Sequence, residues 1–121
     1  MRFIKYNPNP AHRNVSDCSV RALSKALDQS WEETYIGLAI QGLLMSDMPH
    51  ANSSWGAYLK RKGFVRDMAP GNMTVSEFAD EFNRGTYILA LSGHVVCIKN
   101  GVLFDSWDSG DEIVLYFWTK K

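Results

Sequence analysis

A chain of 121 residues with 45% hydrophobic and 21% charged content has the size and composition of one ordinary globular domain spanning 1–121, with no room for a second. Its 13 Lys and Arg balance its 13 Asp and Glu, so no global field draws it to phosphate backbones or anionic membranes, and no nucleic-acid or membrane partner is expected. No stretch approaches the roughly 18 apolar residues of a membrane span, and the opening MRFIKYNPNPAHR lacks a secretion signal's apolar run, so the expected compartment is the cytoplasm, where Cys18 and Cys97 stay thiols.

Asn7-Pro8-Asn9-Pro10 reads as an extended lead-in, and the folded pattern is expected to begin near Ser16. Asp17 is a good N-cap, and Val20, Leu23 and Leu27 recur behind it at helical spacing, which predicts a helix over about 18–28 with Cys18 in its first turn. Ser30-Trp31-Glu32-Glu33 has the form of a capping box and opens a second helix through about Met45, with Trp31, Tyr35 and Leu38 on one stripe. A shorter helix fits Ser53 to Lys62, and Thr74-Val75-Ser76-Glu77 caps another that ends before Gly85 and buries Val75, Phe78 and Phe82. From Thr86 the period becomes that of strands: Tyr87–Leu91, His94–Lys99, Val102–Trp107 and Glu112–Trp118. The expected fold class is therefore α+β, with N-terminal helices packed on one face of a C-terminal antiparallel sheet.

Asn100-Gly101 is the strongest hairpin signal in the chain, because a type I′ turn needs positive φ at both central residues. A two-residue loop there pairs Lys99 with Val102, which puts Val96 opposite Asp105 and His94 opposite Trp107. His94 and Asp105 are then diagonal neighbours about 7–8 Å apart at Cα, close enough for the carboxylate to accept a hydrogen bond from the ring. That is a base with its orienting acid, while Cys97 falls on the opposite face. Cys18 supplies the candidate nucleophile: the free N–H groups and positive dipole end of a helix favour its thiolate, and an imidazolium alongside favours it further. The oxyanion of a tetrahedral intermediate would be held by the Cys18 N–H and one side-chain donor upstream, where both His12 and Asn14 are available.

Asp17-Cys18 opening a helix, then Gly93-His94-Val95-Val96 on a strand and Asp105-Ser106-Trp107 on the next, resembles the papain-like cysteine peptidase superfamily. The similarity runs from Cys18 to Trp107 in three short motifs, and compact bacterial members such as the bacteriocin-processing peptidases similarly carry Asp-Cys at the helix start and Asp as the third member. Papain has Asn-Ser-Trp where this chain has Asp105-Ser106-Trp107, and the resemblance implies that Trp107 shields the His94–Asp105 bond. Papain-like enzymes usually place a Gln six residues before the Cys; here that position is His12, and Ser19 and Val20 replace papain's Gly and Trp, so substrate preference is not inherited. The size resembles small papain-like proteins of bacteria and their phages.

The bland readings differ in strength. A lone helical Cys is more often a small buried hydrophobe, and only the His94–Asp105–Trp107 arrangement lifts Cys18 above it; Cys97, inside Val95-Val96-Cys97-Ile98, keeps the core reading. Zinc is not expected, because no C-x-x-C or H-x-x-x-H spacing supports it, and no other cofactor is implied. The expected function is hydrolysis of a peptide or isopeptide amide in a protein or peptide substrate, through an acyl-enzyme on Cys18 with His94 as base and acid and Asp105 as orienter. The alternatives are an acyltransferase using the same three residues and a non-catalytic domain whose cleft holds a partner protein.

Overall fold

In the computed structural model, which describes residues 1–120, the chain begins with β1 (Arg2–Lys5), α1 (Cys18–Leu27), α2 (Trp31–Met45), α3 (Asn52–Arg61) and β2 (Phe64–Met68). It continues through α4 (Val75–Glu81), β3 (Thr86–Leu91), β4 (His94–Lys99), β5 (Val102–Asp105) and β6 (Tyr116–Lys120). The α+β class and the four expected helices are present, and the six strands form one mixed sheet in the order β1-β5-β4-β3-β6-β2. Two of the helices start at side-chain caps: Ser30 Oγ accepts the Glu33 N–H at the head of α2, and Thr74 with Glu77 closes a reciprocal capping box at the head of α4.

The turn at Asn100-Gly101 has φ of 51° and 76°, as the type I′ geometry requires, and sets Lys99 opposite Val102 and Cys97 opposite Phe104. Three expectations need correction. The sheet is not wholly antiparallel, because β1 from the lead-in pairs parallel to β5, Lys5 beside Asp105, so the fold starts well before Ser16. The helices do not share one face: α1 and α3 pack with Ile88, Ala90, Val95 and Cys97, whereas α4 packs with Leu89, Leu91, Val96 and Ile98 on the other side. Strand alternation dictates those two residue sets. Finally, β5 stops at Asp105 rather than Trp107, and the last strand is Tyr116–Lys120 rather than Glu112–Trp118.

The early end of β5 has a local cause. Asp105 Oδ1 accepts the N–H of Ser106 at 2.7 Å, a side-chain hook that competes with the strand ladder and bends the chain. The β4–β5 ladder therefore ends at Cys97–Phe104, so Val96 has no ladder partner in Asp105 and His94 none in Trp107. Beyond that rung the site is assembled by side chains.

Candidate active site

Asp105 is fully buried, and its carboxylate makes four hydrogen bonds. Oδ2 meets His94 Nε2 at 2.7 Å and accepts from Ser109 Oγ at 2.8 Å; Oδ1 accepts from Ser106 N and from Arg21 Nη2 at 3.1 Å. The diagonal pairing expected from the hairpin is thus realised. Trp107 stacks on the His94 ring with centroids 5.2 Å apart and planes 28° from parallel, covering the ring on one side. Since Nε2 is taken by Asp105, the His94 nitrogen free to face another partner is Nδ1.

Cys18 stands at the head of α1, half-buried, and interacts with His94 and with the N–H of Val95. Burial pushes its thiol up, yet hydrogen bonding from His94 and Val95 and the positive charges of His94 and Arg21 outweigh it, so the thiol lies below its ordinary 9.0. Burial likewise pushes His94 down, but Asp105 and Cys18 raise it from 6.5 to about 9. Asp105 is pushed up by burial and held, on balance, below the usual carboxylate range by His94, Ser109 and Ser106.

Asp17 does not cap α1 as its position suggests. Its side chain turns inward, where Oδ1 accepts from Arg21 Nη1 at 2.8 Å and Oδ2 from Trp31 Nε1 at 2.9 Å. A charge-assisted bond to a guanidinium is stronger than a bond to a backbone N–H, which explains the choice. As a result the Asp17 carboxylate leaves the N–H groups at the head of α1, where Cys18 stands, without a side-chain cap.

Arg21 and Ser109 are the two site residues that the sequence reading passed over. Arg21 reads there as a polar interruption of the helical pattern, yet it is buried and bridges Asp17 to Asp105. Its i,i+4 spacing from Asp17 was the available signal. Ser109 lies in an irregular segment after β5 and carried no periodic signal.

His12 and Asn14 are both exposed, and no side-chain hydrogen bond ties either to Cys18 or His94 among the described residues. His12 occupies a left-handed turn, φ 54°, closed by its N–H bonding to the Asn9 carbonyl. Asn9 is the buried side chain of this segment: its Oδ1 accepts from the Ala11 N–H, and it lines the same groove as Asp17 and Ser19. Cys97 is fully buried in the face of α1, and burial pushes its thiol up to about 12. Among the described residues no cluster of His, Cys, Asp and Glu has the arrangement of a metal site, and no helix is long and apolar enough to cross a membrane.

No protein-family model matches this chain. Nor does any curated protein or solved structure.

Proposed function

We propose that this protein is a cysteine-nucleophile hydrolase of the papain-like type, cleaving a peptide or isopeptide amide through an acyl-enzyme on Cys18. The observation that carries this reading is the buried 2.7 Å bond between His94 Nε2 and Asp105 Oδ2, with the ring's other nitrogen left for a thiol that His94 itself depresses. A lone cysteine would stand near its ordinary value; a thiolate beside an imidazolium is primed to attack.

In the proposed cycle the Cys18 sulfur attacks the amide carbon while His94 holds the proton. His94 then passes that proton to the departing nitrogen, the C–N bond breaks, and an acyl group remains on sulfur. Water, deprotonated by His94, attacks the thioester and releases the acid, returning the proton to the Cys18–His94 pair. Asp105 keeps the ring in one tautomer and orientation, and Arg21 and Ser109 hold the carboxylate still. The uncapped Cys18 N–H is the backbone donor to the oxyanion, with Asn9, His12 and Asn14 as the side-chain candidates of the lead-in.

The test is the pH dependence of Cys18 alkylation by iodoacetamide, read by mass spectrometry of the modified peptide. A hydrolase of this kind gives a midpoint well below that of a free thiol, and His94→Ala moves it up toward that value. A midpoint unchanged by His94→Ala, or peptide cleavage that survives Cys18→Ala, would overturn the reading.

A further inference from the structure

The polarity of α2 is inverted. Its buried side carries Thr34, Leu38, Gln41 and Gly42, whereas Ile36, Ile40 and Leu43 recur at i, i+4 and i+7 along the outer side, with Leu44 on their flank. These four outward residues are 58%, 51%, 79% and 68% exposed. The inner side is fixed by its polar groups: Thr34 Oγ1 accepts from Ser24 Oγ at 3.0 Å and Gln41 Oε1 from Arg61 Nη1 at 2.9 Å. Rotating α2 to bury its apolar stripe would break both bonds. A helix with apolar residues on every side belongs in an interior, and α2 packs chiefly on α1 and α3. At roughly 150–200 Å² for a large apolar residue in the open, the four outward residues present about 400–500 Å². A homodimer interface of about 800 Å² per partner, about 65% apolar, asks about 500 Å² of apolar surface from each side. The stripe meets that demand.

We infer that this face of α2 binds the same face of a second copy of the chain, the two helices running antiparallel across a two-fold axis at Ile40. The inference is independent of the hydrolase reading. Besides the area, two features select that occupant. The first is self-complementarity, which an isologous contact requires. Ile40 stands between Ile36 on one side and Leu43 and Leu44 on the other, so the stripe reads alike in both directions. Gly37, which has no side chain, joins Ile40, Tyr58, Arg61 and Lys62 around a hollow of about 280 Å³ on one flank of the stripe. Leu44 projects from that same flank two turns further along. The proposed axis therefore sets the Leu44 of each copy over the Gly37 hollow of the other, knob into hole. The second feature is charge. Within α2 stand Glu32 and Glu33 and no Lys or Arg. An anionic lipid surface, the other place where an exposed apolar helix could settle, favours Lys and Arg along the helix and is repelled by these glutamates.

The experiment is sedimentation equilibrium of the full chain across the micromolar range. The wild type is expected at twice the 13.7 kDa of one chain. Ile40→Glu and Leu43→Glu each place a charge in the centre of the interface and should raise the dimer dissociation constant by at least about thirtyfold, the loss of one hot spot. Both positions are exposed in the single chain, so circular dichroism should show either variant folded as a monomer. Ile40→Leu, which keeps the stripe apolar, should stay dimeric, as should Leu115→Glu, an exposed apolar position outside α2. A wild type that sediments as a monomer throughout would overturn the inference. So would a monomer that floats with phosphatidylcholine vesicles, which would assign the stripe to a lipid surface instead. A dimer that survives both glutamate variants of α2, or one that Leu115→Glu dissociates equally well, would place the contact elsewhere and overturn it too.

Discussion

The molecule holds two cysteines whose surroundings drive them in opposite directions. Cys18, at the head of α1, is half-buried with an imidazole, a guanidinium and a strand N–H around it; Cys97, in mid β4, is sealed among Ile88, Ala90 and Val95. Desolvation is the largest influence on both thiols and raises both. At Cys18 polar partners overcome it and the net shift is downward, while at Cys97 nothing of comparable strength opposes it and the thiol reaches about 12. The acidity of each thiol follows its partners rather than its exposure alone.

The largest effect that tests this contrast is removal of His94. His94→Ala is expected to lower amide hydrolysis by about 10²–10⁴-fold, the usual contribution of a positioned acid and base, measured as kcat on a peptide amide. Asp105→Asn is a finer probe of the same bond, because an amide keeps the shape and loses the charge. Activity requires a thiolate and a protonated ring, so the rate rises with pH as Cys18 ionises and falls as His94 loses its proton near 9. Without the carboxylate charge the ring is less basic, and the alkaline limb of the pH–rate profile should move below that value.

Next in size is the bridge. Arg21→Gln leaves Asp17 and Asp105 buried without their shared cation, and breaking such a pair costs about 3–5 kcal/mol, read by urea unfolding. Adding Asp17→Asn removes one surplus charge and should restore much of that stability. If Arg21 also steadies Asp105 for His94, the restored double variant keeps a displaced pH–rate profile; a wild-type profile would make the bridge purely structural. The smallest effect belongs to the other cysteine: Cys97→Val, close in volume and suited to a strand, should cost less than about 1.5 kcal/mol and leave hydrolysis unchanged.

How far the sequence spoke depended on the range of the interaction. The His94–Asp105 pair was legible because Asn100-Gly101 permits one turn geometry, and a two-residue turn fixes the separation of residues that lie 11 apart in the chain. Trp107 was legible as a cover for His94, though its strand pairing was not, because the Asp105 side chain hooks its own neighbour. The Arg21–Asp105 contact joins residues 84 apart that no local pattern relates. Likewise β1 and β2, four and five residues long, sit at the two edges of the sheet and lack the alternation that marks a longer strand.

The parallel pairing of β1 with β5 gives the first half-dozen residues an unforeseen duty. Lys5 is the rung beside Asp105, and the Tyr6 N–H grips the Asp105 carbonyl at 2.8 Å, so the backbone of the orienting acid is clamped from outside by a peptide stretch remote from every motif. Trimming Arg2 through Tyr6 would therefore loosen Asp105 from behind, and with it the proposed chemistry, without touching a single reacting atom.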